Sequence, residues 1–119
     1  MNRIVLLLLL GLIASCAKSS DNSTEISDQK IIYKNWVLSR CLSYSLKNEE
    51  EKKDALNTAS SYLEQSNLSV ESLLNSEPLI HKFIEKKYQG SISGTFEIKK
   101  CIDLYSSSEL DELYFSSQK

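Results

Sequence analysis

Few residues in this chain have the chemistry of an active site. There is a single histidine, His81, and three cysteines, Cys16, Cys41 and Cys101. A cysteine nucleophile would need a reduced, activated thiol beside a base such as His81. A zinc site would need more ligands than one histidine and two distant cysteines offer. Only three glycines are present, and none forms a phosphate-cradling loop. The carboxylate run Glu49-Glu50-Glu51, next to Lys52, Lys53 and Asp54, reads as a solvated helix start. His81 falls near the solvent side of its helix, beside Lys82 and Glu85. The residues therefore predict no catalytic group, no metal and no cofactor. The net charge of −2 also argues against nucleic-acid binding, which needs a basic stripe.

The cysteines divide by position. Arg3 is followed by the apolar stretch Ile4 to Ile13, too short to span a bilayer core but suited to a signal peptide. Ile13-Ala14-Ser15-Cys16 then resembles a bacterial lipobox, in which small residues precede a cysteine to be cleaved and acylated. The alternative is an ordinary signal with a coincidental cysteine. On the lipobox reading residues 1–15 are a lipoprotein signal and Cys16 carries the lipid. Stable anchoring takes more than one acyl chain. Residues 16–30 are rich in Ser, Asp, Asn and Lys and are expected to form a flexible tether. Ala17 stands where an inner-membrane retention signal would place Asp, which suggests the outer membrane by resemblance to Gram-negative lipoproteins. The expected location is the periplasm, with the membrane contacted through the anchor only.

With Cys16 spent on lipid, Cys41 and Cys101 remain as an even pair. An exported chain meets an oxidising envelope, so a disulfide is expected; two buried free thiols are the alternative. Closing about 60 residues would contribute about 4 kcal/mol in the chain-entropy model.

Three glycines and one proline favour helices over a turn-rich sheet. A domain over residues 31–119 is expected to be all-α, a small bundle of five to six helices with one disulfide. The first helix is predicted from about Asp28 to Leu46, with Tyr33, Val37, Cys41 and Tyr44 on one stripe, Leu38 and Leu42 widening it, and Trp36 and Arg40 at its margin. A second helix begins behind Asn48, with Glu51 placed as in a capping box, and ends near Gln65. Val70, Leu73 and Leu74 belong to a short helix after Ser69. Ser76-Glu77-Pro78 starts another, expected to stop at Gly90. Phe96, Ile98, Cys101, Ile102 and Tyr105 form the expected inner face of the next. Ser106-Ser107-Ser108-Glu109 resembles a capping box opening the last.

Several segments share a likeness to one family. They are Tyr33-Lys34-Asn35-Trp36-Val37-Leu38-Ser39-Arg40-Cys41-Leu42, the acidic stretch running to Lys53-Asp54-Ala55, Ser60-Ser61-Tyr62-Leu63-Glu64, Phe83-Ile84-Glu85-Lys86-Lys87-Tyr88 and the block from Lys100 to Asp111. Together, over about Ile31 to Phe115, they resemble immunity proteins that neutralise type VI secretion amidase effectors of the fourth amidase family. A lipid anchor departs from the plain cleaved signal common there. The resemblance implies an all-helical fold, a disulfide between these two cysteine positions and a homodimer. It also implies a periplasmic partner, a papain-like cysteine peptidase that cuts peptidoglycan stems between D-glutamate and diaminopimelate. The immunity protein would do no turnover. One of its loops would enter the effector's groove, helped by a helix of the second protomer.

The loop matched by position is Gln89, Gly90, Ser91, Ile92 and Ser93. Its one aliphatic residue, Ile92, has two readings: an anchor for a partner's pocket, or a residue tucked back on the core. The helix contribution is expected from Ser69 to Ser76. A competing reading of the whole chain is a structural envelope lipoprotein with no toxin target.

Overall fold

A computed structural model describes residues 22–119. The expected signal over residues 1–15, the acylated Cys16 and the first part of the tether lie outside the described residues. Six helices and no strand occur among those residues: α1 Asn22–Ser45, α2 Glu49–Gln65, α3 Val70–Leu74, α4 Glu77–Ile84, α5 Glu97–Tyr105 and α6 Ser108–Ser116.

The helix starts are set by short polar side chains that satisfy the free N–H groups of the first turn. Asn48 Oδ1 accepts from the N–H groups of Glu50 and Glu51, at 2.9 and 3.2 Å. Ser69 Oγ accepts from Ser72 N at 3.1 Å. Pro78 sits in the first turn of α4, where its missing N–H costs nothing. The cap of α6 is Ser107, which accepts from Leu110 N at 3.2 Å; the expected box on Ser106 is displaced by one residue.

α1 is the axis of the bundle and packs against each of the other five helices. Tyr33, Trp36, Val37 and Cys41 of α1 meet Ala59 of α2, Leu73 of α3, Ile80 and Phe83 of α4, Cys101 and Leu104 of α5, and Leu110 and Tyr114 of α6. The rings of Tyr33 and Tyr114 lie 5.3 Å apart. The Tyr33 hydroxyl is buried near Ser76 but makes no hydrogen bond, and burial pushes its pKa up to about 12. Each fully buried large apolar side chain contributes about 1.5–3 kcal/mol, against a domain stability of roughly 5–15 kcal/mol.

Cys41 and Cys101 are joined, with their Cα atoms 5.6 Å apart. Both are wholly buried. Ser45 lies against this bridge, its Oγ 3.3 Å from Cys101 Sγ.

Four expectations are corrected. α1 begins at Asn22 rather than near Asp28, so the segment expected as tether is helical over residues 22–30. Polar contacts dock it: Tyr114 donates to the Ile26 carbonyl at 3.3 Å, and Gln29 bridges the Gln65 carbonyl and the Asn67 N–H. Tyr44 is exposed: Ser45 takes the buried side of α1 at this turn, and the Tyr44 hydroxyl is held at the surface by Arg40 and Glu77. α4 ends at Ile84, not at Gly90; its last carbonyls are met by the N–H groups of Glu85 and Lys86, and the Lys86 ammonium sits 3.6 Å from the centre of the Phe83 ring. The inner face of α5 is turned from the expected one. Lys100, Cys101 and Leu104 point in, while Ile98 and Ile102 are exposed. The disulfide forces Cys101 toward α1, and Lys100 tolerates near-complete burial because its ammonium meets Glu97 Oε1 at 3.1 Å.

Reduction, or Cys41→Ala with Cys101→Ala, is expected to lower unfolding stability by about 4 kcal/mol. Urea unfolding of the oxidised protein and the double variant measures it. Equal midpoints would contradict a bridge that stabilises by closing this loop.

Candidate functional site

Residues 85–96 join α4 to α5, and their course is set by a polar brace on α5. The Tyr88 hydroxyl donates to Asp103 Oδ2 at 2.6 Å. Lys99, one turn before Asp103, donates to the same oxygen at 2.6 Å and lies 4.5 Å from the centre of the Tyr88 ring. Hydrogen bonds from Lys99 and then Tyr88 hold the Asp103 carboxyl below its ordinary pKa. The same bond to Asp103, with burial second, pushes the Tyr88 hydroxyl up to about 12. At the far side of the loop Phe96 packs edge-on to Tyr88, ring centres 6.3 Å apart.

Phe96 is the one non-glycine residue with positive φ among the described residues, at φ 56° and ψ 39°. A side chain in this region costs about 1–2 kcal/mol. The left-handed turn sends the chain sharply from the loop into α5, and the Phe96 carbonyl accepts the first helical bond, from Lys100 N at 3.1 Å.

Between these fixed ends, Gln89, Gly90, Ser91, Ile92 and Ser93 are all exposed. The first four line a shallow cleft of about 220 Å³ with Tyr88, Phe96 and Lys99. Ile92 is 72% exposed, the highest value among the large hydrophobic side chains described. It does not tuck back onto the core. The reading in which Ile92 tucks back is thereby excluded.

The Ser69 to Ser76 region lies elsewhere. Val70 and Leu74 of α3 are exposed and, with the exposed Leu56 of α2, line a groove over Trp36 and Ala59. α3 has only five residues, and only Leu73 on it reaches the interior. At the edge of this groove Arg40 Nε donates to Glu77 Oε1, Arg40 Nη2 to the Tyr44 hydroxyl, and that hydroxyl to Glu77 Oε2, each at 2.7 Å. Burial first, then the bond to Glu77, raises the Tyr44 pKa. His81 stacks on Tyr44, ring centres 4.8 Å apart, and is half-exposed. This cluster ties the start of α4 to α1. It has no nucleophile.

Trp36 under the groove and Cys41 under α5 lie five residues apart, about 140° around α1 at 100° per residue. The loop and the α3 groove thus occupy different flanks of one protomer. No grouping of three or more metal-ligating side chains occurs among the described residues. The brace was missed in the sequence. The Lys99–Asp103 spacing is a legible helical pair, but nothing in the chain announces that Tyr88, fifteen residues away, completes it.

A family model described as Tai4, type VI secretion system (T6SS) amidase immunity protein, matches residues 31–114. The chain belongs to this family. The matched span holds the disulfide, the loop and its brace, and the α3 groove. Solved structures agree. The effector–immunity system Tae4/Tai4 from Salmonella typhimurium aligns at TM-score 0.69 and 42% identity, over 73% of this chain and 86% of that one. The Tae4–Tai4 complex from Enterobacter cloacae aligns at 0.66 and 30%, over 72% and 88%. Salmonella typhimurium Tae4 in complex with Enterobacter cloacae Tai4 aligns at 0.67 and 30%, over 72% and 89%. Comparison with curated proteins gives no match. As in other Tai4-family members, then, the functional surface is one for binding.

The lowered Asp103 pKa sets the sign of one effect. The brace is intact above the ordinary value of 3.8 and is lost as pH falls through the lower folded-state value. Amide exchange over residues 88–96 is expected to rise in acid ahead of global unfolding. Asp103→Ala should give the same rise at neutral pH with little change in Tm. Unchanged exchange in that variant would show that the brace does not order the loop.

Proposed function

We propose that this immunity protein acts in the periplasm by placing the loop Gln89 to Ser93 in the active-site groove of a peptidoglycan amidase effector of the Tae4 kind. The observation that carries this reading is Ile92, held in solvent on a loop braced at both ends. A preordered loop loses less entropy on binding, and a lone aliphatic side chain is suited to fill a pocket. The solved relatives support the choice of partner, since they are complexes of Tae4 with Tai4. Inhibition on this reading is steric. The protein covers the groove and contributes no chemistry.

The α3 groove has a place in the same proposal. A homodimer would set the loop of one protomer and the helix α3 of the other against a single effector, as the family resemblance implies. The separation of the two features around α1 is compatible with that division. Leu56, Val70 and Leu74 offer apolar area for the contact.

Cys16 completes the reading as a lipid-bearing N-terminus after removal of residues 1–15, with the protein held at the outer membrane. No helix among the described residues is long and apolar enough to cross a membrane.

Ile92→Asp is expected to weaken effector binding by roughly 2–3 kcal/mol, the range of an interface hot spot. Calorimetry and recovery of amidase activity measure it, with circular dichroism confirming an intact fold. Undiminished affinity would remove the loop from the interface. For the anchor, mass spectrometry of the mature chain is expected to find an acylated N-terminal Cys16, and a chain prepared from Ala17 onward is expected to stay free of membranes. A chain with its leader attached, or an unmodified Cys16, would refute lipidation.

A further inference from the structure

The two ends of α1 carry different attachments. At its beginning, Ile26 meets Tyr114 and Gln29 meets Gln65 and Asn67. At its other end lies the loop. α5 runs antiparallel to α1: Lys34 lies over the Tyr105 ring, Cys41 is bonded to Cys101, and Ser45 also reaches Cys101. α5 begins four residues before Cys101, so its start lies level with the end of α1. The loop precedes that start and is braced against Lys99 and Asp103. A helix from Asn22 to Ser45 is about 35 Å long at 1.5 Å per residue.

Only residues 17–21 separate Cys16 from Asn22. A chain of that length spans about 20 Å at most. An acyl group on Cys16 therefore confines the beginning of α1 to the neighbourhood of the bilayer. The far end is free to range a further helix length outward. A rod linked at one end to an impenetrable plane keeps its other end farther away when averaged over its tilts.

We infer that the lipid and the loop act at opposite ends of α1, so that the anchored protein presents residues 89–93 away from the bilayer and captures its effector without leaving the membrane. This rests on the lipidation and loop readings above. α1 is then a spacer as well as the core of the bundle. Anchoring leaves the loop open, and the captured effector becomes membrane-held.

The test uses the full lipidated protein in vesicles whose headgroups carry a short-range collisional quencher. A fluorophore is attached through Asn67→Cys or Ser91→Cys. Both positions are exposed, and the native pair Cys41–Cys101 is buried and bonded. Quenching is expected to be several-fold stronger at residue 67 than at residue 91. Purified effector is expected to bind vesicle-held protein as tightly as the soluble form beginning at Ala17, and to float with the vesicles. Equal quenching at the two positions, or markedly weaker binding on vesicles, overturns the inference while leaving lipidation standing. Failure of the wild-type protein to float with vesicles overturns lipidation and this inference with it. If the vesicle-held and soluble forms both fail to bind effector while the quenching asymmetry holds, the loop reading fails and the two-ended geometry survives.

Discussion

The sulfur bridge between Cys41 and Cys101 is the constraint on which the rest of the molecule depends. α5 has nine residues, well short of the length at which an isolated helix is stable in water. Two of its isoleucines face solvent, so its apolar burial is small. The bridge fixes this short helix near the C-terminal end of α1 and turns Cys101 and Leu104 inward. Everything after Ile84 follows from that placement. The loop must close the distance from α4 to a helix start that the bridge has already located. α6 is then delivered to the opposite end of α1.

Other attachments act along the same axis. Asp111 of α6 receives Lys30 and Lys34 of α1, each at 3.2 Å. Burial alone would raise its pKa, but these two ammonium groups hold it below the ordinary value. Arg40, Tyr44 and Glu77 fasten the start of α4 near the other end. These contacts are partly exposed and contribute modestly to stability. Their larger effect is on direction. They set which flank of α1 each short helix covers, and so separate the loop from the α3 groove.

The loop between α4 and α5 is held by equally few groups. On the proposed occlusion it needs a shape held in place, not a tuned proton. The brace of Tyr88, Asp103 and Lys99 supplies order at the base of the loop, and the left-handed turn at Phe96 supplies direction. The strain at Phe96 is local and is offset by the helix bond that its carbonyl accepts. A loop ordered before the encounter spends less of its contact energy on ordering.

Much of this was legible in the residues. Poverty in glycine and proline established an all-helical chain. Asn48, Ser69 and Pro78 marked helix starts, since capping depends on a few adjacent atoms. An even pair of cysteines in a chain with an export-like leader pointed to the bridge, and segments from Tyr33 to Asp111 pointed to the family. What tertiary structure alone decided were properties of faces and distances. Periodicity gives a helix its apolar stripe but not the partner that covers it. Ile98 and Ile102 therefore looked buried and are not. α1 gained its extra turns from contacts with Gln65, Asn67 and Tyr114, which lie far along the chain. Ile92 stands in solvent beyond a brace in which Tyr88 is bound to Asp103 across fifteen residues, and no local pattern encodes a contact between side chains that only folding brings together.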